Sequence, residues 1–146
     1  MESLAPFVGE WAMKVDMPNV PDMPNGPEAR CTFEWMAGER FLVQRWEIPI
    51  PEAPDGIALI GFDEGRDTLL QHYFDSRGVA RVYEMTFDGS VWTLLRDKPD
   101  FSPLSFSQRF EGTFSDDGDT IAGRWEIAHD GSSWELDFHL TYTRVR

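Results

Sequence analysis

Three Asp-Gly pairs, at 88–89, 117–118 and 130–131, each sit between two runs in which apolar and polar residues alternate. Asp and Gly accept the positive φ angles that a two-residue turn demands. Such a pair between alternating runs is therefore the strongest short-range signal for an antiparallel hairpin. Ala37-Gly38, DEGRD (63–67) and DSRG (75–78) supply further turn signals. They divide the chain into ten period-two segments, near 10–17, 29–36, 40–48, 57–62, 68–74, 79–87, 90–96, 105–116, 119–129 and 132–144. A helical turn over Leu4–Val8, capped by Ser3 and tolerant of Pro6 in its first turn, precedes them. No stretch after residue 10 reads as a helix long enough for a parallel crossover, which excludes a parallel sheet. Ten sequential hairpin strands would leave long edges unless they close, so the expected fold is a ten-stranded antiparallel up-and-down β-barrel. The 146 residues form one domain, 1–146. One segment breaks the pattern: Asp16–Pro27 carries proline at 18, 21, 24 and 27 and suits an extended path, so 18–27 is a candidate lid or a plain long loop.

Hairpin turns also predict register. About Asp117-Gly118, Arg109 faces Glu126 and Glu111 faces Arg124, while Phe110 faces Trp125 and Phe114 faces Ile121. Charges then share one face and apolar groups the other, and a one-residue slip would destroy both patterns. About Asp130-Gly131, Trp125 faces Leu136, Ile121 faces Leu140 and Arg124 faces Asp137. These registers place Phe106, Phe110, Phe114, Ile121, Trp125, Ile127, Trp134, Leu136, Phe138, Leu140 and Tyr142 inside, with Arg109, Glu111, Arg124, Glu126, Asp137 and His139 facing water. About Asp88-Gly89, Tyr83–Leu94, Met85–Trp92 and Arg81–Arg96 form the inner pairs, with Glu84 on the other face. Extension across DSRG puts Leu70, His72 and Phe74 inside as well.

Composition narrows function by exclusion. Thirteen basic residues against twenty-six acidic ones leave a net charge of −13. That is a poor match for a phosphate backbone or an anionic membrane surface, so neither nucleic acid nor membrane is an expected partner. A single cysteine, Cys31, permits no intrachain disulfide and no cysteine-based metal site, and its inward parity among Phe33, Trp35 and Leu42 reads as a buried, inert thiol. The first residues have neither the basic start nor the apolar run of a secretory signal, and no run approaches a membrane span, so the cytoplasm is the expected compartment.

Gly9-Glu10-Trp11, entering the first strand, resembles the opening signature of the calycins, the lipocalins and fatty-acid-binding proteins. The resemblance implies that Trp11 packs at the closed end of the barrel against a basic residue near the last strand, for which Arg144 is the match. It also implies a ligand cavity. The whole chain is similar to a family of uncharacterised bacterial calycin-like proteins and, more distantly, to the nitrobindins. Fatty-acid-binding proteins place two helices where this chain has its proline-rich segment. Nitrobindins hold haem through a histidine on the last strand. His139 is the candidate here, and the predicted register turns it outward. No cofactor is read from the residues themselves.

The constellation most suggestive of chemistry is His72, Arg81 and Arg96 on one inward face. Like charges directly opposite repel, and buried unpaired cations are costly, so a bound carboxylate or phosphate would offset the cost. The alternative is that both arginines snorkel into water at a strand end. Tyr83, Trp92 and Tyr142 would add apolar walls with polar tips, and Gln44 and Gln108 fall on inward faces, toward a ligand, each other or ordered water. The three histidines (72, 129 and 139) do not converge and show no metal-ligand spacing, so no metal site is expected. The DDGD run at 116–119 lacks the spacing of a calcium loop and reads as a hairpin tip. No nucleophile or phosphate-loop motif appears. The expected function is binding of a small hydrophobic or amphipathic, anionic ligand inside the barrel. Two alternatives stay open. One is an enzyme on the same barrel using His72 with Arg81 and Arg96, an isomerase, a decarboxylase or haem-supported chemistry. The other is a homodimeric interaction subunit, if outward Phe41, Val43, Val82, Val91 and Leu95 form one apolar patch.

Overall fold

A computed structural model describes residues 2–16, 29–49, 53–130 and 132–145. A 3-10 turn, Glu2–Phe7, leads into ten strands: β1 (Gly9–Asp16), β2 (Ala29–Trp35), β3 (Leu42–Glu47), β4 (Gly56–Asp63), β5 (Thr68–Asp75), β6 (Ala80–Phe87), β7 (Val91–Arg96), β8 (Ser107–Phe114), β9 (Thr120–Ala128) and β10 (Glu135–Arg144). Each strand pairs antiparallel with its sequence neighbours, and β1 pairs with β10, so the barrel is closed. The turn begins one residue before Ser3, which lies inside it rather than capping it. The proline-rich segment and Gly131 lie outside the described residues.

The β8–β9 register is the one the Asp117-Gly118 tip predicts: Arg109–Glu126, Phe110–Trp125, Glu111–Arg124 and Phe114–Ile121. Two other registers differ, for local reasons. Between β6 and β7, Met85 faces Leu94 and Phe87 faces Trp92, two residues away from the predicted pairing. An even slip preserves faces, so Tyr83, Met85, Trp92 and Leu94 still point inward and are buried. It does separate Arg81 from Arg96. Between β5 and β6 the slip is odd. Asp75 N–H donates to Val79 O, and Gly78 takes φ +86° in a three-residue loop, where the pattern around DSRG predicts four. Every β5 side chain consequently swaps faces. Gln71 faces Tyr83 and Tyr73 faces Arg81 inside, while Leu70, His72 and Phe74 pair with Glu84, Val82 and Ala80 on the outer face. His72 and Glu84 thus share a face rather than opposing.

The β9–β10 pairing contains a bulge between Leu136 and Phe138. Beyond it Trp125 faces Phe138, Arg124 faces His139 and Ile121 faces Tyr142. Leu140 and Tyr142 remain inside, and His139 remains outside and exposed. Before it the expected faces invert. Leu136 is exposed, and Trp134 lies under the Arg109 guanidinium, 4.2 Å from ring centroid to Cζ, on the outer wall. Asp137, at the bulge, turns into the barrel. A bulge bends its strand and re-aims side chains in this way.

One end of the barrel is sealed by aromatic packing. Leu4 and Phe7 of the 3-10 turn are fully buried. Phe7 meets Phe33, Trp92 and Phe114 with centroids 5.0–5.3 Å apart, mostly edge to face. Trp11 donates its indole N–H to Phe7 O at 2.9 Å. Arg144 stacks on Trp11 at 4.2 Å and donates to Val8 O and Pro6 O at 2.8 and 2.7 Å. The cation thereby satisfies one carbonyl of the 3-10 turn and one just past it.

Of the outward apolar residues, Phe41 is exposed over Gly61 and Val43 is buried, while Val91 faces Thr113. Val82 and Leu95 line a separate groove with Pro99 and Phe101. Val82, Val91 and Leu95 thus lie on the adjacent strands β6 and β7, and Val43 on β3.

Candidate functional site

Ten strands enclose a wider interior than side chains alone fill. The sealed end is packed; the other end holds a cavity of about 520 Å³, within the range of small-molecule sites. Its walls are largely aromatic: Trp46 stacks on Tyr73 at 5.3 Å, Tyr83 meets Trp125 at 5.5 Å, and Trp92 packs on Phe110 at 4.7 Å. Trp46 is held by its indole N–H donating to Pro54 O at 3.1 Å, with its ring over Gly56, where a Cβ would collide.

Six of the eight residues proposed from sequence line this cavity: Gln44, Arg81, Tyr83, Trp92, Gln108 and Tyr142. Gln108 Oε1 accepts from Tyr83 OH at 2.9 Å and from Arg81 Nη1 at 3.2 Å. This acceptor fixes both donors on one side of the mouth. Arg81 also lies 5.5 Å from the Phe106 ring, and among the described residues no carboxylate pairs with it. Gln44 donates to Tyr142 OH and to Cys31 Sγ, each at 3.5 Å. Burial pushes the Cys31 thiol up to about 12 and the Tyr142 hydroxyl well above its ordinary value, so both stay neutral.

Arg96 and His72 lie elsewhere. Arg96 is buried at the end of β7 but donates through Nε and Nη2 to Asp100 at 2.8 and 2.9 Å. Asp100 also accepts from Val82 N–H at 2.8 Å. The arginine holds the Asp100 carboxyl well below the usual range, and the pair is internally neutral. The expected repulsion between Arg81 and Arg96 does not arise, because Arg96 is neutralised inside the wall. His72 is on the outer face for the parity reason given above. His129 is exposed, 6.0 Å from the Phe106 ring. Among the described residues, no three His, Cys, Asp or Glu side chains gather in a metal-binding group.

The structure adds four polar residues that sequence reasoning missed, all lining the cavity: Gln71, Tyr73, Arg77 and Asp137. Tyr73 OH donates to Asp75 at 2.6 Å and Arg77 Nη2 to the same carboxylate at 2.7 Å. These bonds hold Asp75 down at about 2 despite its burial, and burial with the adjacent carboxylate raises Tyr73. Asp137 has the opposite environment. Desolvation alone raises its pKa, and among the described residues no hydrogen bond or ion pair holds it. Two further groups are left unmatched. The amide oxygen of Gln71 (4% exposed) and the indole N–H of Trp92 (1% exposed) are buried without a partner among the described residues. In folded proteins such groups are rare, because each costs about 1–3 kcal/mol unless something hydrogen-bonds to it.

Comparison with known proteins agrees with this architecture. Residues 1–144 match the family model described as "Protein of unknown function (DUF1579)". No curated protein matches the chain significantly. Among solved structures, the crystal structure of Rv2717c from M. tuberculosis superposes with a TM-score of 0.61 at 14% identity, covering 99% of this chain and 96% of that one. At that identity the likeness is one of fold.

Proposed function

The chain belongs to the DUF1579 family, so its function has to be argued from the barrel itself, and we propose that it is a binding protein that takes one small amphipathic molecule into the open end. The carrying observation is the pair of orphaned buried groups on the wall of a 520 Å³ cavity, Gln71 Oε1 and Trp92 Nε1. Among the described residues, one buried acceptor and one buried donor stay unmatched on the wall where a ligand would lie. Aromatic walls suit a flat apolar body, and Arg81, with no carboxylate partner among the described residues, suits an acidic end at the mouth. The reading retains the anionic ligand expected from sequence but rests on one arginine rather than on Arg81, Arg96 and His72 together.

Native mass spectrometry of the protein as purified, repeated after unfolding and refolding, tests this. The expected result is a small retained mass that refolding removes. An empty barrel in both samples, with no shift in thermal midpoint on adding 1-anilinonaphthalene-8-sulfonate, overturns it.

A further inference from the structure

Two charges at the cavity mouth have no ionic partner among the described residues, and they are of opposite sign. Arg81 reaches from β6 to β8, where Gln108 accepts its hydrogen bond. Gln108 faces Ile127 on β9, and Ile127 faces Glu135 on β10, two residues before Asp137. Asp137 therefore stands two strands round the wall from the point where the guanidinium docks, about 10 Å away at ordinary strand spacing. Arg81 and Asp137 line the same cavity and do not pair with each other.

The remaining charges nearby are already matched. Asp75 neutralises Arg77, and Asp100 neutralises Arg96. The β10 bulge is what brings Asp137 inside; continued without it, the register of Phe138–Trp125 and Leu140–Gly123 would set the carboxylate opposite Glu126 on the outer face. Bulges are over-represented beside binding and active sites because they re-aim a side chain. Delivering an unpaired carboxylate into an aromatic cavity is costly, and its partial burial there raises its pKa.

Resting on the binding reading above, we infer that the ligand is dipolar: a flat body with an acidic group toward Arg81 and a basic group toward Asp137, held apart at opposite ends. A singly charged ligand would leave one of the two wall charges desolvated and unmatched. A charge pair at adjacent atoms would not span the gap.

Four molecules that share one ring test this by calorimetry: 4-(aminomethyl)benzoate, 4-methylbenzoate, 4-methylbenzylamine and p-xylene. The first is expected to bind at least tenfold more tightly than either singly charged analogue. Arg81→Met should bring it down to the affinity of 4-methylbenzylamine, and Asp137→Asn to that of 4-methylbenzoate. Both sites lie at the open end, so both variants should keep the wild-type thermal midpoint within a few degrees. Equal binding of p-xylene and the zwitterion, or a zwitterion affinity that either variant leaves unchanged, overturns the inference while the cavity reading stands. Failure of all four to bind also overturns it, and the retained-mass experiment then reads separately whether the barrel binds anything.

Discussion

Replacing Gln71 by Leu should make the ligand-free barrel more stable, although it removes a polar group from a hydrogen-bonded protein. Gln71 is 4% exposed and its amide oxygen is buried without a hydrogen-bond partner among the described residues. The wild type therefore carries the desolvation cost of an orphaned group, about 1–3 kcal/mol, and an apolar side chain of similar size removes it. For a domain of this length, each kcal/mol moves the thermal midpoint by about 2–4 °C, so a rise of about 2–12 °C is expected. The assay is thermal and urea unfolding of protein stripped of bound molecules by refolding. Gln44→Leu is the matched control. Gln44 is equally buried at 4%, but it donates to the Tyr142 hydroxyl and the Cys31 sulfur. Its loss orphans Tyr142 and should destabilise by about 1–2 kcal/mol. The two Gln→Leu changes thus carry opposite signs. A loss of stability at Gln71 equal to that at Gln44 would refute the reasoning, because the Gln71 amide would then have a partner such as an ordered water.

Three further outcomes follow from the same geometry. Asp100→Asn should lower stability by about 3–5 kcal/mol in urea unfolding, since it leaves the Arg96 cation buried in the wall without its countercharge. Stability should fall as pH drops below about 4, because Asp75 and Asp100 have folded pKa values below their unfolded ones and their contributions vanish as they protonate; Asp137, shifted the other way, gains with acid and only partly offsets this, so a midpoint flat between pH 5 and pH 2 contradicts the assignments. Cys31, buried at 1% exposure with its thiol near 12, should resist a thiol-specific disulfide reagent at pH 8 in the native state and react fully in denaturant; rapid native labelling would show that the barrel opens.

Particular residues show why some features were legible in sequence and others were not. The β8–β9 hairpin carries its own proof of register: Arg109 and Arg124 both bind Glu126 on the outside while Phe110 packs on Trp125 within. Two independent patterns agree there, and a slip would break both. β5 has no such check. LLQHYF alternates apolar with half-polar residues on either parity, so the loop length alone decides its face, and one residue in the loop exchanged Gln71 and Tyr73 for His72. Around Asp137 the pattern misled for the opposite reason: an aspartate opposite Arg124 looks like a cross-strand ion pair, and nothing in the neighbouring residues marks the bulge. Arg96 could be placed inward by alternation, but its partner Asp100 comes from the loop after β7, where periodicity says nothing.

Strand number, antiparallel pairing and a closed barrel were determined by the sequence itself, because they depend on patterns summed over many residues: ten alternating runs, turn residues between them and no helix to carry a crossover. The contact between Trp11 and Arg144 was implied by the resemblance of Gly9-Glu10-Trp11 to the calycin opening signature, and the β1–β10 pairing sets the two residues opposite each other. Tertiary structure alone decided which polar groups look into the cavity and whether a cavity exists. The first rests on single-residue events, a three-residue loop and one bulge, each too small a change in composition to leave a trace yet able to turn a strand over. The second is a difference of two large quantities, the volume that ten closed strands enclose and the volume their inward side chains occupy, and only the assembled barrel supplies both.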